Sequence, residues 1–297
     1  MAVKCLKCNR DAVIFQRYSG MHLCREHFTA DLEGRAKKTI RQHKWVSPGD
    51  RIAVAMSGGK DSSAVLYFLK KVFGERRDME IFGVTIDEGI KGYRDPSSVC
   101  GIAEKYGAKC YVASFSERFG VTLDDIVKKK GDKNSCSYCG VLRRQILNSF
   151  ARELGATKIA MGFNLDDEAQ SVLMNVLRGD SERLLRKQSP AEGMVPRIKP
   201  FMYIPEREVA LYASLYVEGY DERGCPYSYN ALRADVRELL NDYNYRHPSA
   251  KYSLVNLGED LKEGLKDDNT KISRCSFCGE PVFGECHTCR VLREIKK

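Results

Sequence analysis

Among the 297 residues there is no apolar run of the roughly 18 residues that a membrane-crossing helix needs. The opening segment, MAVKCLKCNR, lacks the apolar core of a secretory leader. Low-complexity tracts are missing, and no internal repeat appears beyond the short cysteine knuckles. With 43% hydrophobic residues the chain is too apolar for wholesale disorder. Its twelve cysteines are too few to form a disulfide scaffold at this length, and nothing points to an oxidising compartment. A soluble cytoplasmic protein without a membrane partner is expected, with one ample domain and small appendages. The balance of 49 Lys+Arg against 40 Asp+Glu, a net +9, permits a polyanionic partner without demanding one.

The cysteines that are present are ordered. Chance would supply about half of one C-x-x-C pair, whereas the chain has Cys5/Cys8, Cys136/Cys139, Cys275/Cys278 and Cys286/Cys289. The first, with Cys24 and His27, makes a four-ligand set on two knuckles; Cys275, Cys278, Cys286 and Cys289 make another. Four soft or borderline ligands complete a tetrahedral shell and leave no open position, so two structural zinc ions are expected. The GEPVFGE spacer between the C-terminal knuckles has the Gly and Pro of a ribbon turn. Cys100 and Cys110 fall inside regular elements and are expected as buried, reduced small hydrophobes.

Between the knuckles, strand and helix patterns alternate. RIAVAM (51–56), MEIFGVTID (79–87), KCYVASF (109–115) and TKIAMGF (157–163) read as strands. Helical spacing follows SGGKDS, and recurs over 95–108 behind Asp95 or Ser97, over 139–156, and over 164–179 behind Asn164. Such alternation predicts an α/β fold, a parallel sheet with helices on both faces, here flanked by N- and C-terminal zinc lobes. Ligands of such sheets sit at the strands' carboxyl ends, which is where 57–62, 87–89 and 162–167 fall. In SGGKDS, Gly58 and Gly59 let backbone approach a ligand, and a helix N-terminus, Ser57, Ser62 and Lys60 all favour an anion. Neither the Walker A nor the dinucleotide spacing is present.

SGGKDS after a strand resembles the SGGxDS signature of the PP-loop ATP pyrophosphatase superfamily, whose members use ATP to adenylate a substrate and release pyrophosphate. GFNLDDEAQ (162–170) resembles the segment of the tRNA-modifying branch in which an acidic pair follows a strand. Cys136, Cys139 and Cys225 resemble the cluster-binding trio of the TtcA/TtuA group, and the flanking zinc lobes resemble the TtuA type and its archaeal and eukaryotic wobble-uridine relatives. The resemblance implies a tRNA 2-thiouridine synthetase, an ATP-dependent tRNA sulfurtransferase forming AMP and pyrophosphate. It also implies the site. Ser57, Gly58, Gly59, Lys60, Asp61 and Ser62 would cradle the phosphates with a magnesium ion, and Ala55 and Ile86 would contact the nucleoside through backbone. Gly162, Asp166 and Asp167 would lie near ATP, Arg143 would face its phosphates, and Asp61, Asp166 or Asp167 would serve as magnesium ligand or base. Acidic residues at a helix start are equally common caps, which stays open for Asp166.

Three thiols without a histidine are one ligand short of a closed zinc shell. A [4Fe–4S] cluster held by Cys136, Cys139 and Cys225 would keep one iron open for a sulfide. A persulfide on Cys139 or Cys225, or a partly filled zinc site, remains an alternative. Basic stretches at 34–45 and 128–133, with the zinc knuckles and the positive net charge, point to an RNA-phosphate footprint, and 231–248 is a further candidate surface. The resemblance implies that the RNA is tRNA, while Tyr227, Tyr229, Tyr243 and Tyr245, available for stacking, serve as often in packing. The sulfur would come from a ubiquitin-like thiocarboxylate carrier or free sulfide; a homodimer and a heteromeric partner are both open.

The expected organisation is an N-terminal zinc finger (1–30), a basic linker helix (31–48), the PP-loop domain (49–205), a helical part with the last cluster cysteine (206–268) and a zinc ribbon (269–297). The Pro-rich 180–205 reads as a functional loop or lid. Two rival functions stand beside the first. A PP-loop amidotransferase or lysidine-type synthetase would have no use for the thiol trio, and a non-catalytic zinc-knuckle RNA-binding protein would have no use for SGGKDS.

Overall fold

The computed structural model describes residues 3–185, 193–228, 232–263 and 272–296. An antiparallel pair, Ile14–Gln16 (β1) and Met21–Leu23 (β2), leads into the helix Arg25–Gln42 (α1). Then follow Arg51–Met56 (β3), Lys60–Phe73 (α2), Glu80–Asp87 (β4), Pro96–Lys105 (α3), Cys110–Ser114 (β5), Phe115–Phe119 (α4) and Leu123–Lys130 (α5). The long helix Ser135–Glu153 (α6) precedes Lys158–Ala160 (β6), Leu165–Leu177 (α7), Ser181–Leu185 (α8) and Arg197–Ile198 (β7). Glu206–Tyr216 (α9), Leu232–Arg246 (α10) and Ala250–Glu263 (α11) come next, and Ile272–Arg274 (β8), Pro281–Phe283 (β9) and His287–Lys296 (α12) close the chain.

The central sheet is wholly parallel, in the order β5-β4-β3-β6-β7. The chain winds outward from β3 to β5, then returns to the other side of β3 for β6, so the switch in direction lies between β3 and β6. A cleft opens at the strands' carboxyl ends at such a point. Period-2 alternation divides the sheet's side chains. Ile52, Val54, Met56, Ile81, Ala160 and Ile198 pack with α2, α3, α9 and α1. Ala53, Phe82, Val84, Ile159 and Val195 pack on the other face against Leu147 and Ala151 of α6. The expected doubly covered parallel sheet is therefore what forms.

Helix boundaries follow capping chemistry. Asp95 accepts from the N–H groups of Ser97 and Ser98 at the start of α3, with Pro96 in the first turn, where its missing N–H costs nothing. Asn164 and Asp167 form a capping box at the start of α7. Helix α6 begins at Ser135 rather than at 139, which carries Cys136 onto the helix.

Two expectations are corrected. Cys100 and Cys110 are not separate reduced thiols but a disulfide, joining α3 to β5 with a Cα–Cα distance of 5.2 Å. The edge strand runs in register with Gly83 opposite Cys110, and a side chain on Gly83 would stand 3.5 Å from the Cys110 sulfur. Of the expected loop or lid 180–205, residues 186–192 lie outside the described residues; the rest contributes α8 and the fifth strand, with Val195, Ile198, Phe201, Met202 and Ile204 buried. Sparse apolar residues on a two-residue strand leave no periodic signal to read. Helix α1 runs unbroken across the expected 30/31 boundary, burying Phe28, Leu32, Ala36 and Ile40 at four-residue spacing.

Candidate functional site

The turn between β3 and α2 is latched by its own serines. Ser57 N–H donates to Ser62 Oγ at 3.1 Å, the two hydroxyls lie 3.1 Å apart, and Ser62 Oγ donates to the Gly59 carbonyl at 3.2 Å. Gly58 sits at φ +76°, and a β-carbon there would meet Val99 at 2.8 Å, so only glycine fits. The loop's outward carbonyls are taken: Gly58 by the Asp221 N–H at 2.8 Å, and Ser57 by the Arg94 guanidinium. Helix α2 starts at Lys60 with no side-chain cap, unlike α3, α5 and α7. Its first N–H groups are thereby left to a ligand, the arrangement that holds phosphate.

Carboxylates from three helix starts gather here. Lys60 Nζ lies 3.0 Å from Asp61 Oδ2 and 2.9 Å from Glu206 Oε1. Asn164 Nδ2 donates to Asp61 Oδ1 at 3.3 Å, tying the start of α7 to that of α2. Burial raises the Asp167 carboxyl to about 6; the Asn164 N–H and Arg233 oppose the shift, and Asp61 and Glu206 add to it. Asp166 stands apart from this group. It is buried, ion-paired to Lys251 of α11, and accepts the Glu206 N–H at 2.8 Å. Successive helical residues point about 100° apart, so the acidic pair divides: Asp167 turns to the cleft and Asp166 to the C-terminal helices. Gly162 closes the floor, where a β-carbon would stand 2.8 Å from the Ser62 nitrogen. Ala55 and Ile86 lie half-buried on the α6 side of neighbouring strands.

The thiol trio assembles around the first turns of α6. Cys136 is exposed and Cys139 buried, and the half-buried Cys225 comes from the segment after α9. That segment is pinned to the helix: Ser135 Oγ and Cys136 Sγ reach the Tyr227 carbonyl at 3.4 and 3.5 Å, and Tyr227 OH donates to Asp124 at 2.7 Å. Burial pushes the Cys139 thiol up to about 11 against the pull of Arg143, and also raises Cys225. Arg143, which the resemblance implies at the ATP phosphates, is engaged here beside the trio. It donates to Cys139 Sγ at 3.0 Å and pairs with Glu88 at 2.7 Å. Being one turn beyond Cys139 on the same helix face, it follows the thiol.

Cys5, Cys8, Cys24 and His27 bring one ligand atom each within 4.8 Å of one another, as do Cys275, Cys278, Cys286 and Cys289. Cys8–Cys24, Cys275–Cys289 and Cys278–Cys286 sulfurs are 3.7 Å apart, close to the edge of about 3.8 Å of a tetrahedron with Zn–S near 2.3 Å. In each lobe an N–H two residues after the first cysteine points at its sulfur, Lys7 to Cys5 and Phe277 to Cys275, both at 3.4 Å. Both sets fit zinc. Among the described residues the trio is not drawn together in this way. Three free thiols with a guanidinium donating to one of them suit an anionic [4Fe–4S] centre in their chemistry. Helix α12 braces this region, packing Val291 and Ile295 with Leu123, Ile126, Leu142 and Ile146.

Of the expected RNA-facing residues, Lys37, Lys38 and Arg41 form an exposed stripe on α1, and Lys128, Lys129 and Lys130 are exposed at the end of α5. Tyr243 and Tyr245 are exposed, Tyr245 beneath the Arg17 guanidinium; Tyr229 lies outside the described residues. Sequence reasoning missed Glu206 and Arg94. Glu206 follows Pro205 at the start of α9, far along the chain, and only the tertiary fold brings it to Lys60. Glu88 carried a readable signal in its place just past β4.

Residues 29–242 match the family model described as a PP-loop domain, and residues 4–29 match the N-terminal LIM domain of 2-thiouridine synthetase TtuA. The tRNA 2-thiolation protein NcsA of Haloferax volcanii is 36% identical over 320 residues, covering 99% of both chains. The cytoplasmic tRNA 2-thiolation protein 1 of Caenorhabditis briggsae is 38% identical over 296 residues, 97% of this chain and 79% of its own. The solved U34-tRNA thiolase NcsA from Methanococcus maripaludis, with its [4Fe–4S] cluster, superposes at a TM-score of 0.87 and 33% identity, covering 99% of this chain and 97% of that one.

Proposed function

The chain belongs to the PP-loop family of tRNA 2-thiolation proteins, and from that premise we propose that it is a cytoplasmic tRNA 2-thiouridine synthetase. It adenylates a uridine C2 oxygen at the cost of ATP and replaces that oxygen with sulfur. The uridine is the wobble base, the substrate named for its structural relative.

The C2 carbonyl of uridine is a poor electrophile because its oxygen would have to leave as hydroxide or oxide. Attack of that oxygen on the α-phosphorus of ATP expels pyrophosphate and leaves the oxygen as part of an AMP ester. Hydrosulfide then adds at C2, and AMP departs with the original oxygen. The turn Ser57–Ser62 and the first N–H groups of α2 bind the phosphates, offering fixed donors where negative charge builds. Asp61 and Asp167, with Glu206 beside them, would hold the magnesium ion, and Lys60 would leave its carboxylate partners for a phosphate. Ala55 and Ile86 border the nucleoside. Bound to Cys136, Cys139 and Cys225, a [4Fe–4S] cluster would supply an open iron able to carry sulfide. Arg143 orients Cys139 and balances its charge. Sulfide comes free or from a ubiquitin-like thiocarboxylate carrier.

The observation that carries this reading is the shared edge. The uncapped start of α2 follows the carboxyl end of β3, and the thiol-bearing start of α6 packs with Ile86 and pairs with Glu88 at the carboxyl end of neighbouring β4. The test is an oxygen-free preparation given ATP, sulfide and a tRNA transcript, with nucleosides mapped by mass spectrometry. Two-thiouridine at the wobble position with stoichiometric AMP is expected; Cys136→Ala and Cys225→Ala should stop thiolation while adenylation persists. Turnover of ATP with an amine in a colourless protein would favour the amidotransferase reading, and RNA binding without any ATP affinity would end the enzymatic one.

A further inference from the structure

We propose that Arg144 and Arg197 form a seat for an RNA phosphodiester, on the α6 face of the sheet beside the thiol trio. The inference rests on the tRNA-thiolation reading and adds to it the place where the backbone next to the target uridine is gripped.

The placement comes from how α6 runs along the segment leading into β7. Arg152 donates to the Gly193 carbonyl at 2.8 Å. One turn earlier, Asn148 bridges the same carbonyl at 3.1 Å and the Val195 N–H at 2.9 Å. Four helical residues rise about 6 Å, and two strand residues advance nearly the same distance. The next turn back along α6, at Arg144, therefore meets the strand at Arg197. The pleat agrees: Arg197 is in register with Ile159, which packs against α6, and alternates with Ile198, which packs on the α2 side.

Among the described residues no carboxylate lies within ion-pair distance of Arg144 or Arg197. Desolvation, then the charges of Arg183 and Arg143, lower the Arg144 pKa; desolvation and Arg144 lower that of Arg197. Neighbouring guanidinia that repel one another are relieved by an anion, and paired planar donors suit phosphate oxygens. Among the described residues the α2 turn, the proposed cradle of the ATP phosphates, is contacted by Arg94 and Asp221 and not by these arginines. Arg144 lies on the same helix as Cys139, five residues or about 7.5 Å further along its axis, so a phosphodiester held here is next to the nucleotide presented to the trio.

The test uses the full-length protein and an unmodified tRNA transcript, with affinity measured across a salt series and ATP affinity measured in parallel. Arg144→Gln/Arg197→Gln is expected to weaken tRNA binding about ten-fold and to flatten the salt dependence by about one released counterion per arginine or less, with ATP affinity unchanged. Arg144→Lys/Arg197→Lys, which keeps the charge, should retain most of the salt slope. Unaltered tRNA affinity and slope in the glutamine variant would overturn the proposal, as would a loss confined to ATP or shared equally by ATP and tRNA. Failure of the underlying reading looks different: wild-type protein itself would then neither bind nor thiolate the transcript.

Discussion

Gly162, just past the end of β6, lies so close to the first turn of α2 that a β-carbon on it would stand 2.8 Å from the Ser62 nitrogen and 2.9 Å from the Ser62 Cα. Both contacts are with backbone, which cannot swing away as a side chain would. Gly162→Ala must therefore displace the N–H groups that face the phosphates. Overpacking of this kind costs about 1–3 kcal/mol, and here the cost falls on the nucleotide cradle. ATP affinity should drop by about ten-fold or more, with a melting temperature lowered by only the few degrees such a cost implies. Calorimetric titration with ATP beside a thermal melt checks this; unaltered ATP binding would mean that α2 is not the phosphate cradle.

Arg143 was expected at the ATP phosphates, but its guanidinium reaches Cys139 and Glu88. The two placements predict different losses. If the side chain supports the thiol trio, Arg143→Gln lowers iron retention, in the manner of lost outer-shell partners, which typically costs 10–100-fold in metal affinity. Iron content and the visible absorption of an anaerobic preparation should fall, with Arg143→Lys intermediate and ATP affinity unchanged. Weakened ATP binding at full iron content would return Arg143 to the phosphates.

The two lobes whose ligand sets fit zinc are tied to the body through different helices. Helix α1 begins directly after Cys24 and buries Phe28, Leu32, Ala36 and Ile40 in the main core. Helix α12 carries Cys289 and, among the described residues, packs in the cluster around α5 and α6. Metal release from so small a lobe unfolds it. Cys24→Ser should therefore lower the melting temperature of the whole molecule, whereas Cys278→Ser should chiefly loosen the trio helix. Zinc content, thermal melts and hydrogen exchange over α6 distinguish the two; equal global destabilisation by both variants would contradict it.

Asp95 caps the helix whose Val99 backs Gly58, and its carboxyl is held below the ordinary value, first by the Ser97 hydroxyl, then by the Ser97 N–H and Ser98. A depressed folded-state pKa means stability that is present above the unfolded value of 3.8 and lost as pH falls through the folded one. Asp95→Asn keeps a capping oxygen but removes the titration. The wild type should melt higher than the variant at neutral pH, and the gap should close on acidification below about pH 4. A pH-independent gap would show that charge plays no part in the cap.

Much of the sheet was legible because β3, β4 and β5 are β-branched or apolar runs separated by helical spacing, and because caps such as Asp95 and Asn164 announce themselves. The two four-ligand sets were legible because their members are close in sequence. What stayed hidden is long-range. Nothing local in Cys100 or Cys110 tells that a crossover helix and its following strand bring the two sulfurs together. Two-residue β7 has no period to detect, and Glu206 reaches Lys60 across 146 residues. Side-chain direction was also beyond the motif: GFNLDDEAQ names two adjacent aspartates, and only the helix decides which faces the cleft.

That division of Asp166 and Asp167 leads to opposite phenotypes for neighbouring substitutions. Asp166 is buried against Lys251, itself buried, and also accepts the Glu206 N–H. Asp166→Ala strands the Lys251 ammonium and frees the start of α9; breaking a buried pair in this way costs about 3–5 kcal/mol, so the variant should be markedly less stable. Asp167 accepts the Asn164 N–H at 3.2 Å, a bond that asparagine can keep, and its nearest cation, Arg233, is 3.5 Å away. Asp167→Asn should fold as well as wild type yet lose adenylation by about a hundred-fold, the scale of removing one group that stabilises developing charge. Denaturant melts paired with AMP release separate the two. A stable, inactive Asp166→Ala together with an active Asp167→Asn would reverse the assignment and turn the wrong acid toward the nucleotide.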